Sequence, residues 1–129
     1  MPMIKIDVIE GRSNEQIQAL LNAAHRAMVD AFDVPERDRY QIVNEHRADR
    51  MVIEDTGLDI PRTANIVVVS VTSRPRTEAS KVKFYQLLCK HLQQDCAIEP
   101  SDVMVSIVIN NDSDWSFGHG RAQFLTGEL

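Results

Sequence analysis

The hydrophobic pattern of the chain predicts four β-strands. Residues 3–9 alternate between apolar and polar positions, which is typical of a half-buried strand. Residues 66–72 form a nearly unbroken β-branched run, which predicts a buried strand in the centre of a sheet. Apolar stretches at residues 40–44 and 103–109 predict the other two strands.

Two helices are predicted between these strands. Ser13 fits an N-cap with Gln16 at the third helical position, and apolar residues then recur at spacings of three and four as far as Phe32. A second helix is predicted from about Thr77 to Cys96. Residues 45–65 are polar and irregular, so we expect a long loop that includes a short helical turn or a hairpin. The apolar stripe of the second helix is expected to comprise Val82, Tyr85, Leu88, Cys89, Leu92 and Cys96.

The two halves of the chain share one plan. Each has a strand, a helix and a strand, over about residues 2–44 and 66–109, and residues 110–129 form a tail. We therefore expect one α+β domain spanning residues 1–129, a two-layer sandwich with a four-stranded mixed sheet. Within each βαβ repeat the strands should pair in parallel through a right-handed crossover. Both helices would cover one face, so the open face predicts a homo-oligomer.

Composition narrows the possible partners. The chain has 129 residues and a net charge of −5, which argues weakly against non-specific binding to nucleic acid. No apolar run approaches the roughly 20 residues of a membrane span, and the first residues lack the pattern of a signal peptide. We therefore expect a cytoplasmic protein that contacts neither nucleic acid nor membrane.

The cysteines and histidines indicate neither a disulfide nor a metal site. Cys89 and Cys96 lie seven residues apart in a predicted helix, so their Cα atoms would be roughly 10 Å apart, too far for a disulfide bond. No two histidines have the spacing of metal ligands, so no metal is expected. His25 falls within the first predicted helix and is expected to be structural or exposed.

Arg74 and Arg76 flank a proline where the β-branched strand ends and the second helix begins. A guanidinium group can bind a planar carboxylate through two hydrogen bonds. Pro2 follows an initiator Met whose removal would expose a secondary amine, which can act as acid, base or nucleophile. The repeat places that amine beside the end of the β-branched strand. Without such a pocket, the arginines would belong to a solvated loop and Pro2 would have no role.

Several segments also carry a resemblance to a known family. In addition to Pro2 and the duplicated plan, it rests on residues 34–41, 71–76, 101–106, 114–118 and 120–127. These segments resemble the tautomerase superfamily and, within it, the malonate semialdehyde decarboxylase family. The resemblance extends over essentially the whole chain, and it implies a homotrimer with a cofactor-free site.

The resemblance also implies roles for individual residues. Pro2 would be the catalytic amine, and Arg74 and Arg76 would hold the substrate carboxylate and polarise its carbonyl group. Asp38 would tune or orient the amine and bind water, although a surface charge in an Arg/Glu-rich turn is the other interpretation. An apolar wall would be formed by Trp115, Phe117, Phe124 and Leu129, unless these aromatic residues only pack the tail or a trimer contact.

The implied reaction is the decarboxylation of malonate semialdehyde to acetaldehyde and CO2. Two alternatives remain open from the sequence. The same amine and arginines could serve a tautomerase, or a hydratase or dehalogenase, acting on small unsaturated or 2-oxo acids. The chain could also be a non-catalytic trimeric module that binds small acids or partner proteins.

Overall fold

The computed structural model describes residues 1–129, in which two long helices pack on one sheet. A four-residue helix follows in the tail, and short 3-10 turns lie at Ala48–Arg50, Pro100–Asp102 and Asp112–Asp114. The main elements are β1 (Met3–Ile9), α1 (Asn14–Phe32), β2 (Tyr40–His46), β3 (Val67–Ser73), α2 (Glu78–Cys96), β4 (Val103–Ile109) and α3 (Gln123–Thr126).

The sheet has the strand order β2-β1-β3-β4. The strands of each βαβ repeat pair in parallel, and β1 pairs with β3 in antiparallel fashion at the centre. The predicted α+β architecture, the mixed sheet and the parallel repeats are therefore confirmed. The predicted limits of two strands were slightly wrong: β2 continues to His46, and β3 runs from Val67 to Ser73.

The start of α1 follows the predicted capping box. The Ser13 side chain accepts a hydrogen bond from the Gln16 backbone N–H, while the Gln16 side chain accepts one from the Ser13 N–H. Asp33 ends the helix in a left-handed conformation at φ 53°. The buried face of α1 packs against Ile4, Ile6 and Val8 of β1 in one hydrophobic cluster. Full burial of each such side chain contributes about 1.5–3 kcal/mol to folding.

The predicted stripe of α2 was wrong in part. Phe84 is fully buried and packs 5.5 Å from Phe32, measured between ring centroids, although it was not in the stripe. Val82 and Tyr85 were predicted to belong to the stripe, but they are 50% and 38% exposed. The buried positions are Phe84, Leu88, His91 and Leu92, which still follow helical spacing but are rotated relative to the predicted face.

The two repeats match each other more closely in the structure than the sequence pattern predicts. One constant shift along the chain superimposes the limits of β1 on those of β3 and the limits of α1 on those of α2. The helix caps obey the same shift, from Ser13 to Thr77 at the start and from Asp33 to Ala97 at the end. Only the final strand departs from this shift. When β2 is moved along the chain by the same shift, it begins one position after the observed start of β4.

The face of the sheet opposite the helices lacks a covering layer in the single chain. Lys5 lies there between Ile42 on β2 and Ser70 on β3, and the exposed side chains include Tyr40, Met104 and Val108. Val108 is 61% exposed. The loop after β2 contains the 3-10 turn but no hairpin. No helix of the chain combines the length and apolar character that a membrane span needs.

Candidate active site

The sheet brings the start of the chain to the end of β3. Met3 pairs with Thr72 of β3 on one side and with Tyr40 of β2 on the other. Residues 1 and 2 therefore lie between the turn after β3 and the turn before β2. Pro2 is buried, and the free amine at the chain start is that of Met1.

Asp38 reaches this amine from the turn that precedes β2. Its backbone N–H donates a 3.0 Å hydrogen bond to Pro35 O, which closes the turn. Its Oδ2 atom lies 3.3 Å from the Met1 amine, and its side chain is only 5% exposed. Oδ2 makes no hydrogen bond with any other group of the protein. A buried carboxylate oxygen is thus directed at the chain start.

The electrostatic environment of the chain start is mixed. Burial, the largest effect, lowers the pKa of the Met1 amine; Asp38 raises it, and Arg76 and Arg74 lower it further. The net direction is downward from the ordinary value. Asp38 alone would favour the protonated amine, but burial and the two arginines outweigh it.

Arg76 is held by the ends of β3 and α1. Its Nε donates to the Ser73 hydroxyl at 3.1 Å, and its Nη1 donates to Phe32 O at 3.1 Å. The guanidinium also lies 5.0 Å from the centroid of the Phe32 ring. Burial and the nearby Arg74 lower the pKa of Arg76, whereas Asp38 raises it. The side chain is therefore oriented by three contacts on one side of the site.

Arg74 connects the turn to the tail. Its Nη1 donates to Asp112 Oδ1 at 3.1 Å, and its guanidinium stacks 3.9 Å above the centroid of the Phe124 ring. Its Nε is buried and has no hydrogen-bond partner. The Ser73 hydroxyl donates to the Arg74 carbonyl at 2.8 Å, so one buried serine contacts both arginine residues.

The tail packs its aromatic side chains together beside Arg74. The rings of Trp115 and Phe117 stack with centroids 5.5 Å apart, and Phe124 meets Phe117 edge-on at 5.4 Å. Tyr40 joins the cluster, 5.7 Å from Phe117. The structure therefore brings three of the four predicted wall residues together. Leu129 is 62% exposed, and the role of all four residues in binding substrate stays a prediction.

Unpartnered buried atoms mark this region. In the whole chain, three buried side-chain polar atoms lack a hydrogen-bond partner: Asp38 Oδ2, Arg74 Nε and His91 Nε2. The first two belong to this site, and their residues flank the start of β1 in the strand order. Because an unpaired buried polar atom costs about 1–3 kcal/mol, Arg74 Nε is suited to donate a hydrogen bond to a ligand, whereas Asp38 Oδ2 already lies 3.3 Å from the Met1 amine.

Sequence reasoning missed the residues that support the site. Ser73 adjoined the predicted motif, but its contacts could not be read from the pattern. Phe32, Asp112 and Tyr40 come from other elements and have no local signal. Gln123 is buried and joins the tail, since its side chain accepts from the Phe117 N–H at 2.9 Å and donates to Gly118 O at 2.9 Å.

The remaining polar groups do not form a second catalytic cluster near the chain start. His25 is buried on α1 and lies 2.9 Å from Glu36 O, which fits the expected structural role. No group of three or more His, Cys, Asp or Glu side chains is arranged to hold a metal ion. The largest cavity of the chain, about 710 Å³, lies at the opposite end of β1.

Comparison with known proteins agrees with this fold. A family profile described as tautomerase enzyme matches residues 38–118, and a second with the same description matches residues 2–59. The chain belongs to the tautomerase family. It is 55% identical to a probable tautomerase, YrdN, of Bacillus subtilis (strain 168), over 100% of both chains.

Two solved structures resemble the chain more specifically. One is a malonate semialdehyde decarboxylase described with decarboxylase and hydratase activities; it is 56% identical, covers 98% of both chains and has a TM-score of 0.97. The other is a malonate semialdehyde decarboxylase inhibited by 3-bromopropiolate, 37% identical over 98% of this chain and 97% of the other, with a TM-score of 0.94. The tautomerase-family resemblance expected from the sequence is confirmed.

Proposed function

We propose that this tautomerase-family chain is a cofactor-independent decarboxylase of a small 3-oxo acid, with malonate semialdehyde as substrate. The observation that supports this most directly is the placement beside the chain start of Asp38 Oδ2, 3.3 Å from the terminal amine, and of the buried, unpartnered Arg74 Nε. The similarity to two malonate semialdehyde decarboxylases adds the substrate class. After removal of Met1, the Pro2 amine would replace the Met1 amine near Asp38.

The arginines would bind the negative charge of the substrate. Arg76 is fixed by Ser73 and Phe32, which leaves one of its terminal nitrogens, Nη2, for a ligand. Arg74 offers its unpartnered Nε. A carboxylate between the two guanidinium groups would relieve their mutual repulsion, which already contributes to the lowered pKa of Arg76.

The chemical step then needs one proton donor and one electron acceptor. The protonated Pro2 amine would donate a hydrogen bond to the aldehyde oxygen while the bond between C1 and C2 breaks and CO2 leaves. The electron pair of that bond would form an enolate, and transfer of a proton from solvent water to C2 would give acetaldehyde. Alternatively, neutral Pro2 would condense with the aldehyde and release water, and the resulting iminium ion would accept the electron pair. Protonation of the enamine at C2 and hydrolysis would then give acetaldehyde and free Pro2.

The aromatic cluster would surround the reacting carboxylate with apolar surface. Phe124 contacts the Arg74 guanidinium directly, and Trp115 and Phe117 continue the surface behind it. An apolar surface disfavours the localised charge of a carboxylate more than the dispersed charge of the transition state, in which the charge moves toward the aldehyde oxygen as neutral CO2 leaves. Substrate binding and loss of CO2 would thus occur at the boundary between Arg74 and Phe124.

The electrostatics favour a second candidate, a tautomerase or hydratase. Because burial and the arginines lower the pKa of the chain-terminal amine, the neutral form gains population and could abstract a proton from a 2-oxo acid. The same Asp38 could instead orient a water molecule for addition to an unsaturated acid, or for dehalogenation. A non-catalytic acid-binding module would use the arginines without the amine.

A comparison of substrates tests these candidates. Turnover of malonate semialdehyde should far exceed that of phenylenolpyruvate and of a 3-haloacrylate, and Pro2→Ala and Arg76→Ala should each abolish most of it. The reverse ranking of substrates would replace the decarboxylase with the second candidate. Labelling of the terminal amine by an acetylenic acid, followed by intact mass, separates catalysis from simple binding, since an inert amine contradicts both enzymes.

We also propose that three copies associate through the open face of the sheet. Val108 on β4 and Ile42 on β2 are exposed there, on the side that no helix covers. Val108→Asp should therefore reduce the mass measured by light scattering from three times 14.6 kDa toward that of one chain. Val82→Asp is the matched control, because Val82 is 50% exposed on α2, on the other side of the sheet. Equal masses for both variants would contradict this interface.

A further inference from the structure

The internal duplication gives the protein two related ends. Under the shift that relates β1 to β3, Arg76 corresponds to Arg12, and each directly precedes the N-cap of a long helix, Thr77 or Ser13. Because β1 and β3 are antiparallel, the two arginines lie at opposite ends of the sheet. The end with Arg12 has no role in the proposed reaction.

A cavity of about 710 Å³ opens at the Arg12 end. This volume lies within the range of about 300–1,000 Å³ that is typical of small-molecule sites. The cavity lies between the start of α1 and the end of α2, and about half of its lining residues are apolar. Its lining includes Ile9, Arg12, Gln16, Ala19, Asn65 and Ile98.

Arg12 is the half-buried positive charge of this cavity. Its Nη2 donates to Asn65 O at 2.9 Å, and it forms no salt bridge. Of the two carboxylates in the lining, Asp95 is paired with Arg26 at 2.7 Å and Glu10 is exposed to solvent. Burial, the largest effect, lowers the pKa of Arg12 as it does that of Arg76, whereas Cys96, Asp102 and Glu45 raise it. An anionic group beside Arg12 would offset this desolvation.

The groups that would perform chemistry are absent from this end. The counterpart of Pro2 is Ile66, whose nitrogen is a peptide N–H that donates to Thr63 O at 3.2 Å. The counterpart of Asp38 under the same shift is Asp102, which is fully buried. Both of its oxygens accept hydrogen bonds from Thr63, from the backbone N–H at 2.7 Å and from the hydroxyl. The carboxylate is therefore occupied, and no free amine lies beside it.

We propose that the cavity at Arg12 is a second, non-catalytic binding site for a small monocarboxylate with a short apolar chain. The carboxylate would bind the free N–H groups of Arg12. The apolar chain would contact Ile9, Ala19 and Ile98. This inference does not depend on the proposed reaction, since it uses residues from the other end of the sheet.

Butyrate is a suitable probe, and its binding can be followed by two-dimensional amide NMR. The full chain would carry Arg74→Ala and Arg76→Ala, because these substitutions remove competition from the candidate active site. Saturable shifts are expected for the amides of Gly11, Asn65 and Ala97. Arg12→Gln should weaken this binding by at least about tenfold, as expected for the loss of a charge-assisted hydrogen bond. Ala19→Leu, which fills the cavity and retains Arg12, should also weaken it.

Three results would overturn the proposal. If butyrate caused no shifts at these amides, the cavity would not be its binding site. The same result is expected if another copy of the chain covers the cavity, and it would equally overturn the proposal. Equal binding of butylamine would exclude recognition of a carboxylate. Unchanged butyrate binding in both Arg12→Gln and Ala19→Leu would place the ligand elsewhere. Turnover of malonate semialdehyde by Arg12→Gln in the otherwise natural sequence should be unaffected, so failure of this proposal and failure of the proposed function are distinguishable.

Discussion

Asp38→Asn should make the chain-terminal amine easier to deprotonate. The Asp38 carboxylate lies 3.3 Å from the amine and its side chain is almost fully buried. At that distance a pair of unit charges attracts by about 5 kcal/mol at an effective dielectric constant of about 20. Desolvation of both groups opposes this attraction. We therefore expect a net loss of about 2 kcal/mol, which is roughly a 30-fold decrease in the ratio of protonated to neutral amine at a given pH.

The rate of alkylation by an acetylenic acid measures this ratio, because only the neutral amine is a nucleophile. Intact mass spectrometry across pH should show that the half-maximal rate of Asp38→Asn occurs at lower pH than that of the natural sequence. At pH values below both transitions, the variant should react roughly 30-fold faster. For decarboxylation through a protonated amine, the alkaline limit of the activity profile should move in the same direction.

Glu36→Gln is the matched control. It removes the same charge from the same turn, but the Glu36 side chain is 81% exposed and lies 3.4 Å from His25 rather than near the amine. Its alkylation profile should match that of the natural sequence, because exposed charges interact weakly across solvent. If Asp38→Asn gave the profile of the control, or one displaced to higher pH, Asp38 would not stabilise the protonated amine, and the electrostatic argument would be wrong.

Three further predictions concern the support of the site, the core and the dependence of stability on pH. Ser73→Ala removes the buried hydroxyl that orients Arg76, so the KM for malonate semialdehyde should rise about tenfold; an unchanged KM would show that Phe32 is sufficient. Phe84→Ala should lower the free energy of unfolding in urea by about 3–5 kcal/mol, whereas Val82→Ala should lower it by less than about 1 kcal/mol. Burial lowers the pKa of His91 below 6.5, so the unfolded chain binds the extra proton first, and stability should fall as pH decreases through this value. Urea unfolding of His91→Gln should show a weaker dependence on pH in this range.

The fold was predictable because its signals are local. The alternation in β1, the capping box at Ser13 and the β-branched run of β3 each depend on neighbouring residues, and each gave an element close to its observed limits. The face of α2 was less predictable, because apolar residues occur at two overlapping helical phases. Packing against Phe32 on α1 decides between them and buries Phe84, a contact between different elements that no local pattern encodes.

The candidate site was likewise predictable only in part. Pro2, Asp38, Arg74 and Arg76 could be proposed from motif and family resemblance, and the strand order explains why they meet: Met3 is paired with both Tyr40 and Thr72. Ser73, Phe32 and Asp112 could not, because their importance lies in side-chain hydrogen bonds to the arginines. Such bonds depend on rotamers and on elements that are distant in sequence.

The duplication explains why chemistry is expected at only one end of the protein. Both ends place an arginine before a helix and an aspartate before the last strand of a repeat. At one end, the proposed removal of Met1 would make the Pro2 nitrogen an amine whose pKa responds to Asp38. At the other end the chain continues, and the equivalent nitrogen of Ile66 is an amide committed to Thr63 O. An amide is neither basic nor nucleophilic. The Asp102 carboxylate instead accepts hydrogen bonds from Thr63 and holds the loop in place. The difference between a proposed catalyst and a proposed binding cavity therefore rests on whether the nitrogen before the strand is an amine or an amide, within one repeated architecture.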